Sequence, residues 1–235
     1  MAANLLAELT QHLHARHLHP TPAWLQSFAS TTRPNTPLPA LKQTALFRLL
    51  ATDITTSLSP PASSLFPADI FNARIQSRHV AGPLVCQVLD ISDIGHSNWS
   101  QVESIEAHER GETTKGREIV RMVDREDEND HNEAAAVGPV MASKGPFKLL
   151  LQDAKGMKVY ALDLRGLEGI NMGMSMGTKL VVRNVDVRRA VVMLEPGGVQ
   201  VLGGKMEALD KAWKAGRKER LVRDARGVGE GGGDG

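Results

Sequence analysis

Gly177-Thr-Lys-Leu-Val-Val-Arg-Asn-Val-Asp-Val-Arg-Arg-Ala-Val-Val-Met-Leu-Glu-Pro-Gly-Gly-Val-Gln-Val-Leu-Gly-Gly204 is the stretch whose reading decides the fold. It is dense in β-branched residues and punctuated by an Arg-rich turn and a Pro-Gly-Gly turn. Thr178–Val187 and Ala190–Leu194 therefore read as strands, and Val199–Leu202 as a short extension. Upstream, Phe147–Asp153 and Lys158–Leu164 flank the turn Ala154-Lys-Gly156, a hairpin signal. Leu84–Ile91 supplies a further strand, interrupted only by polar Gln87 and Asp90. Five short strands with a helix-sized connection between the third and fourth outline a small closed barrel, the OB-fold. A final amphipathic segment, about 205–224, carries Leu209, Trp213 and Leu221 among basic residues and reads as a closing helix.

About fifty residues separate the first two strands, far beyond an ordinary hairpin connection. This insertion, about 95–143, holds eleven Asp/Glu against five Lys/Arg between Gly95 and Val140. Loops of this size within a compact domain are functional or disordered. The segment from Met141 to Gly227 is basic by contrast. The first sixty residues read as a three-helix bundle. Leu5, Leu6, Leu9, Leu13 and Leu18 keep near-helical spacing, and Thr21-Pro22 opens a second helix through Trp24, Leu25 and Phe28. Leu41, Ala45, Leu46, Leu49, Leu50 and Ile54 line a third. Ser57–Pro67 links this bundle to the barrel domain, residues 61–227. The Gly-rich 228–235 is expected to be disordered. The fold class is thus α+β: three helices, then a five-stranded barrel with a long insertion between strands 1 and 2 and a C-terminal helix.

Composition narrows the function. The 235 residues carry 28 Lys+Arg and 27 Asp+Glu, a net charge of +1, so no global polyanion-binding signature exists. No run approaches the roughly 20 apolar residues of a spanning helix. The N-terminus has neither a basic n-region nor an apolar h-region, so no secretory signal is expected. The single cysteine, Cys86, has no internal disulfide partner, which fits a reducing cytosolic or nuclear compartment. Aromatic residues make up 4% of the chain, few for a protein that stacks bases.

Catalytic motifs are missing. His12, His14, His17 and His19 lack a Cys or acidic partner for a tetrahedral metal site and read as a polar helix flank. Asp124–Asp130 lacks the glycine and spaced glutamate of a calcium loop. Gly169–Lys179 has neither the spacing nor the Lys-Ser/Thr order of a phosphate loop. No nucleophile elbow, zincin helix or Cys-x-x-Cys pair occurs. No enzyme, metal or cofactor is expected.

The residues resemble the RecQ-mediated genome instability protein 1 family. The resemblance is carried by Gly177-Thr-Lys-Leu-Val-Val-Arg-Asn-Val and by Leu194-Glu-Pro-Gly-Gly-Val-Gln-Val-Leu-Gly-Gly204 before the closing helix. Leu149-Leu-Leu-Gln-Asp, Pro20-Thr-Pro-Ala-Trp-Leu25 and Phe47-Arg-Leu-Leu-Ala-Thr-Asp53 agree with it. Ala190 stands where relatives often carry glycine, and no second OB-fold follows, so partners of such a domain are not implied.

That resemblance implies a nuclear, non-catalytic partner of a type IA topoisomerase III and a RecQ-family helicase. Its insertion would tune the topoisomerase gate toward decatenation and double Holliday junction dissolution. It makes Lys179, with Trp99, Val102, Ile105, Ile119 and Met122 of the insertion, the candidate topoisomerase contacts. Lys179 is expected to be exposed, and Trp24 to be a core residue of the bundle. The alternative is a stand-alone OB-fold module for single-stranded nucleic acid. Lys148, Lys158, Arg183, Arg188 and Arg189 are its candidate DNA contacts, with Phe147 and Tyr160 as a thin stacking platform. Weak, salt-sensitive DNA binding is the most it implies. Neither a membrane nor a small-molecule substrate is expected.

Overall fold

A computed structural model of the chain describes residues 2–33, 36–110, 112–115, 118–121 and 143–227. Four helices open it: α1 (Ala2–His14), α2 (Pro22–Ser30), α3 (Leu38–Leu50) and the short α4 (Ile54–Ser57). The Thr21 hydroxyl accepts the Trp24 N–H at 3.2 Å, a side-chain cap followed by a first-turn proline, as the sequence implies. Leu9, Phe28, Leu41 and Ala45 form a small core, against which Trp24 packs and stacks on Phe28. The third helix is shorter than its apolar spacing suggests. It stops at Leu50, and Asp53 caps α4 by accepting the Thr55 N–H at 2.9 Å.

The rest of the chain runs β1 (Arg78–Val80), β2 (Leu84–Asp93), α5 (Asn98–Glu109), β3 (Glu112–Lys115), β4 (Glu118–Arg121), β5 (Phe147–Asp153), β6 (Lys158–Asp163), β7 (Lys179–Val182), β8 (Val185–Arg188), β9 (Val191–Leu194), β10 (Val199–Gly203), α6 (Glu207–Ala215) and α7 (Arg217–Gly227). The main sheet has the order β1-β8-β9-β6-β5-β2-β7-β10; β3 and β4 form a separate hairpin. β6 and β9 are parallel, and the other pairs are antiparallel. β7 pairs with β2 while β8, two residues further on, pairs with β9, so the sheet closes on itself. That closure removes the open edges of the central strands.

The five-strand expectation is corrected in three places. The predicted strand 178–187 is broken at Arg183–Asn184, where Asn184 takes a positive φ of 50° and lets the two halves serve opposite neighbours. The extension at 199–202 is a full strand paired with β7. A short strand not foreseen, β1, pairs with β8. The C-terminal helix is likewise two helices, parted at Gly216. The connection between the third and fourth strands is not a helix. Ile170, Met172, Met174 and Met176 are buried there and join the barrel core, so the glycine-rich segment 169–177 is an apolar plug.

Two glycines of the 177–204 block have packing reasons. Gly177 has φ 85°, and a Cβ would lie 2.6 Å from the Met206 side chain. Gly204 has φ 95°, and its Cβ would collide with the Leu50 carbonyl of α3. The helical module thus sits directly on the barrel. Its second core, with Leu13, Leu18, Leu49, Leu50 and Ile54, includes Val85 and Val181 of the barrel wall.

A buried polar network lies within this joint. Gln87 of β2, fully buried, donates to the Asp53 carboxylate at 2.9 Å and to Gln152 Oε1 at 2.8 Å. Its own Oε1 accepts the Ile54 N–H at 3.2 Å. Lys179, paired across the sheet with Gln87, is 0% exposed and donates from Nζ to the Gly177 carbonyl at 2.7 Å. The expectation of an exposed Lys179 is therefore corrected: β7 is buried along its whole length by the helices on one side and the barrel interior on the other. Burial lowers the ammonium to about 8 from 10.5, against the opposing pull of the Asp53 carboxylate.

This placement has a stability consequence. The unfolded chain binds the lysine proton more tightly than the folded one, so protonation of Lys179 favours unfolding. Its contribution to stability should rise as pH climbs from about 8 towards 10.5. Lys179→Ala should cost about 1–3 kcal/mol through the cavity it leaves. Lys179→Met, which keeps the volume, should stay within about 1.5 kcal/mol of wild type. Urea titrations at pH 7 and pH 9.5 test this: the gap between wild type and Lys179→Met should move in favour of wild type at the higher pH. A gap that does not move contradicts the buried-lysine assignment.

Candidate functional site

The insertion leaves the barrel from a tightly paired base. Ser92 and Asp93 of β2 lie opposite Lys148 and Phe147 of β5 in register. The Asp93 carboxylate, buried, accepts the Gly95 N–H at 2.8 Å and contacts His96 Nδ1 at 2.8 Å. Burial works to raise this carboxyl, but hydrogen bonds from Ser143, His96 and Gly95 outweigh it and hold it below the ordinary value. Asp93 therefore ties together the two ends of the insertion.

The first part of the insertion is ordered as α5. Ser97 caps it by accepting the Ser100 N–H at 3.1 Å. Gln101 donates to the carbonyls of Asp93 and His96, both at 3.1 Å, and so fixes the helix to the barrel rim. This helix was not foreseen. The Ser97 cap was legible, but no apolar stripe follows it: only Gln101 and Val102 are buried.

The candidate partner contacts separate accordingly. Trp99 is 49% exposed on α5, whereas Val102 is 3% exposed and structural. Ile105 is half-buried and lines a cavity of about 20 Å³, room for about one water, with Asp93, His96, Met172 and Arg217. Ile119 lies in β4 opposite Thr114; its side chain and all of Met122 lie outside the described residues, as does the acidic run 124–130. Ile94, at the insertion's base, is about half exposed and was missed, because a lone apolar residue at a strand end has no periodic signal. Lys179 lies in the interior joint and belongs to no surface.

The candidate DNA contacts fall into two groups. Lys148 and Lys158 are exposed on the outer wall of β5 and β6, where Lys148 Nζ stands 5.3 Å from the centroid of the exposed Tyr160 ring. In register beside them lie Leu150 opposite Tyr160, and Leu162 between Lys148 and Met193. These three apolar residues are partly exposed and were not singled out from sequence. Arg188 and Arg189 are exposed at the β8–β9 turn, while Arg183 is half-buried and donates to Gln200 Oε1 at 3.1 Å. Phe147 is corrected: it is 1% exposed in the barrel core and cannot stack on a base. Ala190 has φ 68°, a left-handed conformation that glycine would adopt without strain.

Other chemistry-bearing residues have structural occupations. Asp163 accepts the N–H groups of Arg165, Gly166 and Leu167. Asp153 accepts those of Phe66, Lys155 and Met157. Asp210 accepts the Met176 N–H and pairs with Lys214 at 2.9 Å. The His14 and His19 rings lie 4.4 Å apart, and His12 contacts Arg16. Among the described residues no group of three or more His, Cys, Asp or Glu could hold a metal ion. None of their helices is long and apolar enough to cross a membrane. The Cys86 thiol is buried, and burial pushes it up, out of the reactive range.

Comparison with known proteins agrees with this architecture. The family model described as "RMI1, N-terminal OB-fold domain" matches residues 66–217, and "RMI1, N-terminal helical domain" matches residues 13–57. The chain is 29% identical over 215 residues to RecQ-mediated genome instability protein 1 of Schizosaccharomyces pombe, covering 87% of this chain and 88% of that one. It is 33% identical over 85 residues to the protein of that name in Oryza sativa and 40% identical over 63 residues to that in Xenopus laevis. Those matches cover 35% and 26% of this chain but only 10% and 11% of the relatives. With a four-helix module seated on a closed barrel and both family models matched in order, the chain belongs to the RecQ-mediated genome instability protein 1 family.

Proposed function

We propose that this protein is a non-catalytic subunit of a nuclear complex containing topoisomerase III and a RecQ-family helicase. In this reading the barrel docks on the topoisomerase and the insertion biases its gate, favouring decatenation and double Holliday junction dissolution. The observation that carries it, beyond family membership, is the way the insertion is mounted. The insertion, acidic in sequence, starts from a paired base, with Asp93 and Gln101 fixing its first helix and Trp99 exposed on it. A segment that contacts only the open gate stabilises that state by its differential binding, and a fixed stem lowers the entropy lost when it does so. In this reading the topoisomerase performs the strand chemistry, while Asp153 and Asp163 of this chain accept the backbone N–H groups of their own turns.

Two measurements test the reading. Residues 112–142 replaced by a short Gly/Ser linker, with α5 retained, should leave the fold intact, because the β2–β5 register does not depend on them. This variant should still co-purify with topoisomerase III but should no longer stimulate decatenation at matched complex concentration. Stimulation equal to that of the intact chain rejects gate modulation. Trp99→Ala should weaken the complex by about tenfold or more if Trp99 anchors the partner, with little change in Tm.

A second reading, a single-strand nucleic-acid module, is favoured by the Lys148–Tyr160 pair on the outer wall. With Phe147 buried, one exposed ring remains in the barrel strands, and stacking is worth about 1–3 kcal/mol per base. Binding to a fluorescent oligonucleotide should therefore be weak, fade steeply with salt and change little on Tyr160→Ala. Tight binding that survives moderate salt and collapses in this variant selects the nucleic-acid module instead.

A further inference from the structure

We infer that α7, the last described helix, is the platform that positions the insertion, with Arg217 and Lys218 as its positioning residues. This inference deepens the proposed function and rests on it for its functional half. α5 has no apolar stripe of its own and, at twelve residues, is too short to persist in isolation. What it packs against is α7. Lys218 Nζ bridges two carboxylates on successive turns of α5, Glu109 at 2.7 Å and Glu106 at 3.3 Å. Arg217 lines the small cavity beneath α5 together with Asp93, His96, Ser100, Gln101 and Ile105.

α7 is itself anchored to the barrel. The guanidinium groups of Arg217 and Arg220 lie 5.8 and 5.5 Å from the Trp213 ring centroid, and Arg220 donates to the Trp213 carbonyl at 2.8 Å. Trp213, buried, donates from Nε1 to the Asp90 carboxylate of β2 at 2.6 Å. A continuous chain of contacts therefore runs from β2 through Trp213 and α7 to α5. The same strand that launches the insertion also holds, through α6 and α7, the surface against which its first helix rests. The direction in which the insertion leaves the barrel is set by residues more than a hundred positions downstream, as in the Glu109–Lys218 pair.

The chemistry suggests a charge-swap test in the full chain. Lys218→Glu places three like charges at the α5–α7 contact, and Glu106→Lys/Glu109→Lys does the same with the opposite sign. The combination of all three substitutions restores attraction. Hydrogen exchange should show α5 amides 98–109 exchanging roughly threefold faster or more in each single-sided variant, with recovery in the combined one. Amides of β2 and β5 should keep their protection, which establishes that the barrel remains folded. Unchanged α5 exchange in both single-sided variants overturns the platform. The functional arm uses the same proteins: decatenation stimulation should fall in the single-sided variants and return in the combined one, while co-purification with topoisomerase III persists. Loss of α5 protection with undiminished stimulation overturns the positioning role. If wild-type protein fails to stimulate decatenation, the proposed function falls, and the exchange data still decide whether α7 holds α5.

Discussion

Strand β2 is hydrogen-bonded along both edges, to β5 on one side and β7 on the other, and the remaining structure hangs from that double pairing. Because its inward side chains, Leu84, Cys86 and Val88, enter the barrel core while Val85 meets the helical module, β2 belongs to two cores at once. Its polar residues make the connections. Gln87 joins the Asp53 cap of α4, Asp90 holds Trp213 of α6, and Asp93 secures the base of the insertion. A polar group in a buried strand costs free energy unless it is paired, so each of these residues specifies a particular neighbour as well as tolerating burial.

This arrangement separates rigidity from reach. The barrel is closed, plugged by four apolar side chains from the 170–176 segment and braced by helices at both chain ends of the domain. The insertion follows directly on β2, the strand paired on both edges. A segment that must act on a partner while remaining attached to a scaffold benefits from such a mount, since fewer degrees of freedom are lost when the partner engages it. The outer wall of β5, β6 and β9 offers a different kind of surface, mixed apolar and basic, with one exposed aromatic ring. Its character suits a protein contact at least as well as a nucleic acid, because interfaces combine apolar centres with polar rims.

Lys179 shows how a motif can be read correctly for the fold and wrongly for its role. Gly-Thr-Lys marks the start of a barrel strand, as its resemblance to relatives implied. The same block contains Gly177, which must yield space to Met206, and leads to Gly204, which must yield space to Leu50. In that company the lysine is a buried member of the joint between modules. Its ammonium is stabilised by a backbone carbonyl and by the nearby Asp53 charge. The charge invited a surface reading; only the packing of helices on the strand's far side excluded it.

What the sequence by itself determined is the set of elements whose signals are local. β-Branched runs marked the 178–194 strands, an apolar run marked β2, and the turn Ala154-Lys-Gly156 marked β5 and β6 on either side of it; the Thr21-Pro22 cap marked α2. The tertiary structure alone decided the rest. The break at Asn184 is needed because one strand must serve two neighbours in a closing sheet. The helix α5 exists because α7 and the barrel rim hold it, not because its own residues form an apolar face. Phe147 points inward because its register with Asp93 places it there, and Tyr160 outward by the same alternation. Local propensity acts over a few residues, whereas burial depends on what the far parts of the chain bring to each face. Side-chain exposure at the candidate site was therefore settled only when the barrel closed.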